Sequence, residues 1–580
     1  MRDSLLVRLP LLALLALVAC SSGNSGNATD DSGADAGDSG GGASTGGSSS
    51  SGGAGLGGGV GGELEPSYYD FSNGDMRGYV ADGDFSPRRY KGECAAGEVM
   101  TGLSLDHECV SPRILQCAAG HSWSAPEAVV RPNCGDDRRD ATTGDWDNGY
   151  RKGECAANEA VVGVSRDTEG ALYDLVCADA SVASAGACTV RNVNAGDNRA
   201  NTTTGDWDPS SFKAECAAGE YVKGVSLDVA TRHPHAILCC SGEGETSVVR
   251  VDTDESQAPA ACNRSGVDTS LTIFDKAHMT GSARYLYKTV DFPEAGTYEK
   301  ITLTFTLACP QGGCDPWDRW GNIGIVQQKK AGDPGGDQML ELGRFVTPYG
   351  VGGTFTYDLT DVRPALVGNE ELRVFIDTWV DGWLVTAKIE MKGGQPAKEP
   401  TLVLPLWSAP QVRVGNPSRS VSNDAPAREV TLPSSVCGLS VRATVTGHGQ
   451  GNRDNCAEFC PKKHYFEVEG ASHERTVWRT DCATTAVQNQ NGTWQYSRAG
   501  WCPGASVREL WMDATANVGA PAKAAMESIS VAYDVESYDN TCRPDNCNQN
   551  SCVFDTSCDY DGGAHTEPFY ALTAVLVGYR

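Results

Sequence analysis

Cys94, Cys155 and Cys216 fall 61 residues apart, each inside a near-copy of one phrase: YKGECAAGEVMTGLSLD, YRKGECAANEAVVGVSRD and FKAECAAGEYVKGVSLD. No other feature restricts the fold so tightly. A unit repeated at a fixed period calls for equivalent structural pieces, and three of them close on a pseudo-threefold axis. A second cysteine follows each first one, at 117, 177 and 239. Val222, Val225 and Leu227 alternate with polar residues, which reads as a short strand between Gly and Asp turns. The expectation is a threefold-repeat β domain over residues 64–242, serving as a glycan-binding or spacer module. The second and third repeats also share TTGDWD. Its Trp146 and Trp207 read as core residues or as platforms for sugar rings. The HPH at 233–235 brings two histidines without a third ligand, so no metal site is expected there.

The N-terminus bounds the compartment. Arg2 and Arg8 with the apolar LPLLALLALVAC have the pattern of an export signal. Its Leu17-Val18-Ala19-Cys20 ending resembles a bacterial lipobox, which makes residues 1–20 a lipoprotein signal and Cys20 the lipidated residue. Residues 21–63 are nearly all Ser, Gly, Ala, Asn and Asp, too polar to bury a core, and read as a disordered tether. An exported, monomeric lipoprotein of the outer membrane or cell surface is expected, attached to the membrane by its lipid. Of 23 cysteines, 22 lie beyond Cys20, and in an oxidising compartment their default is disulfide bonding. The formal net charge of −28, with no basic stripe, argues against a nucleic-acid partner.

Residues 243–269 read as a connector. Beyond it the texture changes to long β alternation: ITLTFTLAC, LRVFIDTWV, LSVRATVTG and ISVAYDV each place apolar residues on one face. In LRVFIDTWV the other face carries Arg373, Phe375, Asp377 and Trp379. The fold class is therefore all-β, and some 310 residues exceed one sandwich, so the region divides at the Gly- and Pro-rich GGQPAKEPTLVLP into 270–400 and 401–580. Within it, CPQGGCDPWDRWGN (309–322) is the segment with the most concentrated chemistry. It admits a rigid turn, a calcium or sugar-binding loop, or a catalytic carboxylate held still.

Several long motifs here occur together: SLTIFDKAH, CPQGGCDPWDRWGN, ELGRFVTPYGVGG, DLTDVRPALVGNEELRVFIDTWV, GHGQGNRDNCAEFC, SRAGWCPG and PFYALTAVLV. In this order they resemble the peptide-N-glycosidase F family of bacterial glycoasparagine amidases. The resemblance spans about 270–580. It implies two adjacent eight-stranded jelly rolls with the site between them, N-linked glycoproteins and glycopeptides as substrates, and no metal or organic cofactor. It further implies Asp318 as the principal catalytic carboxylate with Arg319 beside it, Glu458 and Asp377 in support, and Arg498 as a further site residue. At 377 the chain departs from the pattern, carrying DTW where the family has ETW, so a carboxylate one methylene shorter stands there. This departure leaves a catalytically impaired glycan-binding protein as the alternative. The repeat region is similar, more loosely, to the β-prism of the vitelline membrane outer layer protein I family.

Chemistry alone reaches a compatible picture. Hydrolysing an amide needs a positioned water, a base for its proton and donors for the oxyanion. Asp318 can be the base. Arg319 and Arg498 can stabilise negative charge, and Glu458 and Asp377 can hold the water and sugar hydroxyls. The pairs Cys309–Cys314, Cys456–Cys460 and Cys482–Cys502 would each stiffen a loop bearing a site residue. Asp315 and Asp318 lack the run of alternating oxygen ligands of a dedicated calcium loop, and Asp315 is counted among the substrate-binding or oxyanion candidates. Trp379 is a candidate sugar platform, Trp317 reads equally as core or cleft, and His448 as cleft lining or structural. Cys542, Cys547, Cys552 and Cys558 form a two-disulfide loop in preference to a zinc site.

Overall fold

The computed structural model describes residues 65–580 except 254–264, 450–456, 519–526, 537–567 and several stretches of five residues or fewer. The lipobox with Cys20, the tether, Cys456 and the four-cysteine segment 542–558 lie outside the described residues.

Each repeat forms a hairpin: Glu98–Leu105 with Pro112–Ala119, Glu159–Arg166 with Leu172–Asp179, and Tyr221–Leu227 with Pro234–Cys240. The short strand before each hairpin pairs with the next repeat instead of its own. Tyr90–Glu93 joins Glu159–Arg166, Arg151–Glu154 joins Tyr221–Leu227, and Phe212–Glu215 joins Glu98–Leu105. The exchange is cyclic, so no repeat completes a sheet alone. Disulfides Cys94–Cys117, Cys155–Cys177 and Cys216–Cys239 lie in equivalent positions. The indole N–H of Trp146 donates to Glu154 (3.1 Å) and that of Trp207 to Glu215 (3.2 Å). Trp146 is only 6% exposed, so its ring serves the core and not a ligand. His235 of the HPH is likewise occupied, with Nδ1 2.7 Å from Asp147 and its ring stacked on Tyr150. One boundary shifts. Ser247–Val251, expected in the connector, lies parallel to Ala187–Asn192 as an edge strand of the repeat region.

The remaining strands alternate as the sequence requires. In the first roll they are β1 (Thr269–Met279), β2 (Tyr285–Phe292), β3 (Tyr298–Ala308), β4 (Trp320–Gln328), β5 (Gln338–Val346), β6 (Gly353–Asp358), β7 (Gly368–Ile376) and β8 (Trp383–Gly393). In the second they are β9 (Pro400–Arg413), β10 (Arg428–Leu432), β11 (Gly438–His448), β12 (Lys462–Val468), β13 (Ala471–Val477), β14 (Leu510–Asp513), β15 (Glu527–Val535) and β16 (Phe569–Tyr579). The sheets run β1-β8-β3-β6 and β2-β7-β4-β5, then β9-β16-β11-β14 and β10-β15-β12-β13. Both halves thus have the same eight-stranded jelly-roll order, with each first strand beside its last.

β16 explains why the rolls lie side by side. Its sequence is apolar almost throughout because both faces are buried. Leu572, Ala574 and Leu576 enter the second core, while Val575, Val577 and Tyr579 enter the first. Burying one such aliphatic side chain is worth about 1.5–3 kcal/mol. Arg344 of β5 fastens the same contact, donating to Ala571 O (2.6 Å), Thr446 Oγ1 (3.0 Å) and Thr573 Oγ1 (3.2 Å). A disulfide from Cys134 to Cys437 ties the repeat region to the second roll.

Candidate active site

The site grows from the loop between β3 and β4. Cys309–Cys314 closes a ring directly after β3, with Gly313 at φ +94°, a conformation other residues resist. Asp315 follows, fully buried. It accepts hydrogen bonds from Arg319 Nε (2.8 Å), Thr378 Oγ1 (2.8 Å) and the Trp317 N–H (3.0 Å). The expectation that Asp315 touches a ligand is therefore corrected. It is a positioning residue whose oxygens are used in folding the loop. Thr347 stitches the loop from the other side, receiving the Arg319 N–H (2.8 Å) and donating to Trp317 O (3.1 Å). Held at both ends, the loop leaves Asp318 to accept a 2.6 Å hydrogen bond from the Tyr349 hydroxyl.

The second roll supplies the opposing wall. Beyond β11, the Glu458 N–H donates to Gly449 O (3.2 Å) and its carbonyl accepts from Ala499 (2.9 Å). Gly447 permits this approach, since a Cβ there would lie 2.1 Å from Ala457 O. Arg498 and Arg479 form a two-way backbone bridge, and Cys482–Cys502 spans the segment containing Arg498. Gln490 and Gly504 bind the backbone of Tyr349 and Val346, so this segment clasps the end of β5 and carries Arg498 to Asp318. Arg498 is fully buried and makes four hydrogen bonds: to Thr493 O, Thr493 Oγ1, Tyr496 O and Glu458 Oε1. With most of its five donors committed, it is a fixed positive charge and not a mobile hand for substrate. Cys460 is disulfide-bonded.

Electrostatics separates the carboxyl groups. Burial pushes Asp318 above the ordinary aspartate range, and the Tyr349 hydrogen bond and Arg498 charge only partly oppose it. Glu458 is pushed up to about 7, by burial first and by the neighbouring Asp318 second, against the pull of Arg498. Asp377 is also raised by burial, opposed by Arg284 at 2.8 Å. Two mutually repelling carboxyls near one buried guanidinium, Glu458 among them raised to about 7, suit proton transfer near neutrality.

The structure brings Asp318, Glu458 and Arg498 together, with Arg319 and Asp377 at the border. Asp377 and Trp379 lie just beyond the end of β7, so the expected strand-face pairing of the two is replaced by a loop. Trp379 is 62% exposed and carries the Arg284 guanidinium 4.4 Å over its ring. Trp317 is 59% exposed, which excludes the core reading. His448 stacks between Trp501 and Phe569 and lies 2.8 Å from Thr446 Oγ1. Burial lowers it to about 3, so it is a neutral packing histidine. Sequence reasoning missed Tyr349, although its TPYG was in view, and Arg284, which no local pattern marks.

Residues 417–545 match the family model described as Peptide-N-glycosidase F, C terminal. A curated relative, peptide-N(4)-(N-acetyl-beta-D-glucosaminyl)asparagine amidase F of Elizabethkingia miricola, is 28% identical over 291 residues, 47% of this chain and 79% of that protein. The C-terminal portion of the chain is thus similar to the peptide-N-glycosidase F family. Two solved structures are also similar. That of PNGase F from Flavobacterium meningosepticum is 23% identical, covers 54% of this chain and 96% of that one, and has a TM-score of 0.44. That of PNGF-II is 12% identical, covers 83% and 99%, and has a TM-score of 0.38.

Proposed function

We propose that the protein is a glycoasparagine amidase acting on glycoproteins and glycopeptides. It hydrolyses the amide between asparagine and the innermost N-acetylglucosamine, releasing the glycan as a glycosylamine and leaving aspartate. The observation that carries this reading is the pairing of Asp318 with Glu458 across the two rolls, both raised and both governed by Arg498. Asp318 takes the proton of the attacking water, and its loop is stiff enough to keep that water aligned. Glu458, part-protonated near neutrality, donates or accepts a hydrogen bond as the tetrahedral intermediate forms and collapses. Arg319 and the fixed charge of Arg498 favour the oxyanion. Asp377, Trp379 and Trp317 border this centre and fit sugar hydroxyls and ring faces. The relative's printed name and the matched family support the activity. Disulfides such as Cys309–Cys314 and Cys134–Cys437 support an exported protein. Anchoring through Cys20 and a monomeric state belong to the same proposal.

The test is to incubate the full chain with a denatured N-glycopeptide and read both products by mass spectrometry. Aspartate at the former glycosylation site together with an intact glycan is expected. Glycan bound without any release would overturn the proposal and favour the impaired glycan-binding reading.

A further inference from the structure

A second pocket of about 310 Å³ opens between the rolls, lined from the first by Tyr285, Trp320, Asn322, Arg373 and Phe375 and from the second by Ser408 and Thr573. Three buried polar atoms on its wall have no protein partner: Trp320 Nε1, Asn322 Oδ1 and Arg373 Nε. Asn322 and Arg373 are each only 5% exposed. Buried polar groups normally find partners, and leaving one unpaired is costly. Asn322 turns its amide nitrogen to Glu341 (3.0 Å), and since a carboxylate only accepts when ionised, the amide oxygen is left to the pocket. Two orphan donors and one orphan acceptor therefore share one cavity.

The rest of the lining selects the ligand. Arg344 is matched by Glu341 (3.0 Å) and Arg373 lies 3.6 Å from Asp337, so the walls are charge-balanced and favour a neutral guest over an ion. Trp320, Phe375 and Tyr285 make a contiguous aromatic side, with ring centroids 5.2 Å and 4.8 Å apart. An aromatic wall with both donors and acceptors matches a pyranose ring, which presents C–H faces and hydroxyls that donate and accept. Gly335, Gly336 and Gln338 at the rim are exposed, giving access. The pocket also adjoins the candidate site: Trp320 O accepts the Asp377 N–H (3.0 Å), and Tyr285 directly follows Arg284, the partner of Asp377.

We propose that this pocket is a sugar subsite holding one neutral pyranose unit of a glycan whose reducing end lies at Asp318. Only the position of that reducing end rests on the amidase reading. The test uses the full chain, Ser408→Trp to fill the pocket from its exposed rim, and Trp320→Phe to delete one orphan donor, each checked for an unchanged melting temperature. In direct titration with a free intact N-glycan, followed by ligand-observed NMR, Ser408→Trp is expected to weaken binding about tenfold and Trp320→Phe about fivefold. With glycopeptide substrates, KM for a full glycan should rise by the same factors while kcat, and KM for a glycopeptide bearing only N,N′-diacetylchitobiose, stay put. Unchanged glycan affinity in Ser408→Trp overturns the subsite, as does an equal loss for both glycopeptides. Absence of turnover in every protein would strike the amidase reading alone, because the titration still reports on the pocket.

Discussion

Asp147 in the repeat region is buried and Asp318 in the cleft is partly buried, each near a cation, yet their charges are set in opposite directions. Asp147 is pushed up by burial, but hydrogen bonds from His235, Ser226 and Arg250 more than offset this and leave it below the ordinary range. Asp318 is pushed up by burial, and its one tyrosine hydroxyl and the nearby Arg498 do not restore it. The difference lies in the partners. Asp147 is saturated by donors, whereas Asp318 shares the committed guanidinium of Arg498 with a second acid, Glu458, and gains little from Arg319. A raised carboxyl alone does not mark a site, since burial also lifts Asp174 in the repeat region to about 6. What marks the cleft is two raised acids acting on each other across a domain boundary.

The comparison is broken most directly by Asp318→Asn, which should lower glycopeptide release about 10³-fold while the melting temperature holds. An activity loss of less than tenfold would remove Asp318 from the centre. Asp147→Asn is the opposite case: turnover unchanged, stability at neutral pH lower by about 3 kcal/mol through the broken buried network, measured by denaturant unfolding. Because Asp147 is depressed in the fold, its contribution is present above the unfolded value and disappears as pH falls, so the variant and parent should converge in acid.

Glu458→Gln sharpens the cleft side. A carboxyl raised to about 7 binds its proton more tightly folded than unfolded, so it destabilises the fold progressively from about pH 4.5 to pH 7 and fully above that. The glutamine variant should match the parent near pH 4 and exceed it above pH 7, by at most ~3 kcal/mol. It should also lose any limb near pH 7 in the pH–rate profile. Equal stability at both pH values would contradict the raised glutamate. The smallest effect is expected of Asp377→Glu, which restores the family's longer side chain against Arg284. A rate change within about tenfold, read as kcat/KM, fits a border role.

The sheets were legible because strand alternation and the long motifs agree over the whole of 270–580. Asp318, Glu458 and Arg498 were legible through the family motifs around them. Asp315 misled because a charged residue beside a cysteine clamp reads as chemistry until its three hydrogen bonds are seen. Trp317 and His448 were ambiguous because burial is a tertiary property: one proved exposed, the other stacked between two rings. The cyclic strand exchange and the Cys134–Cys437 link join residues far apart in the chain, and no local pattern reports them.

The central claim is that water, activated at Asp318, attacks the glycosylated amide. The measurement is glycopeptide release in oxygen-18 water followed by mass spectrometry of the peptide. One oxygen-18 atom in each newly formed aspartate is the predicted result. Release that leaves this aspartate unlabelled would contradict the account.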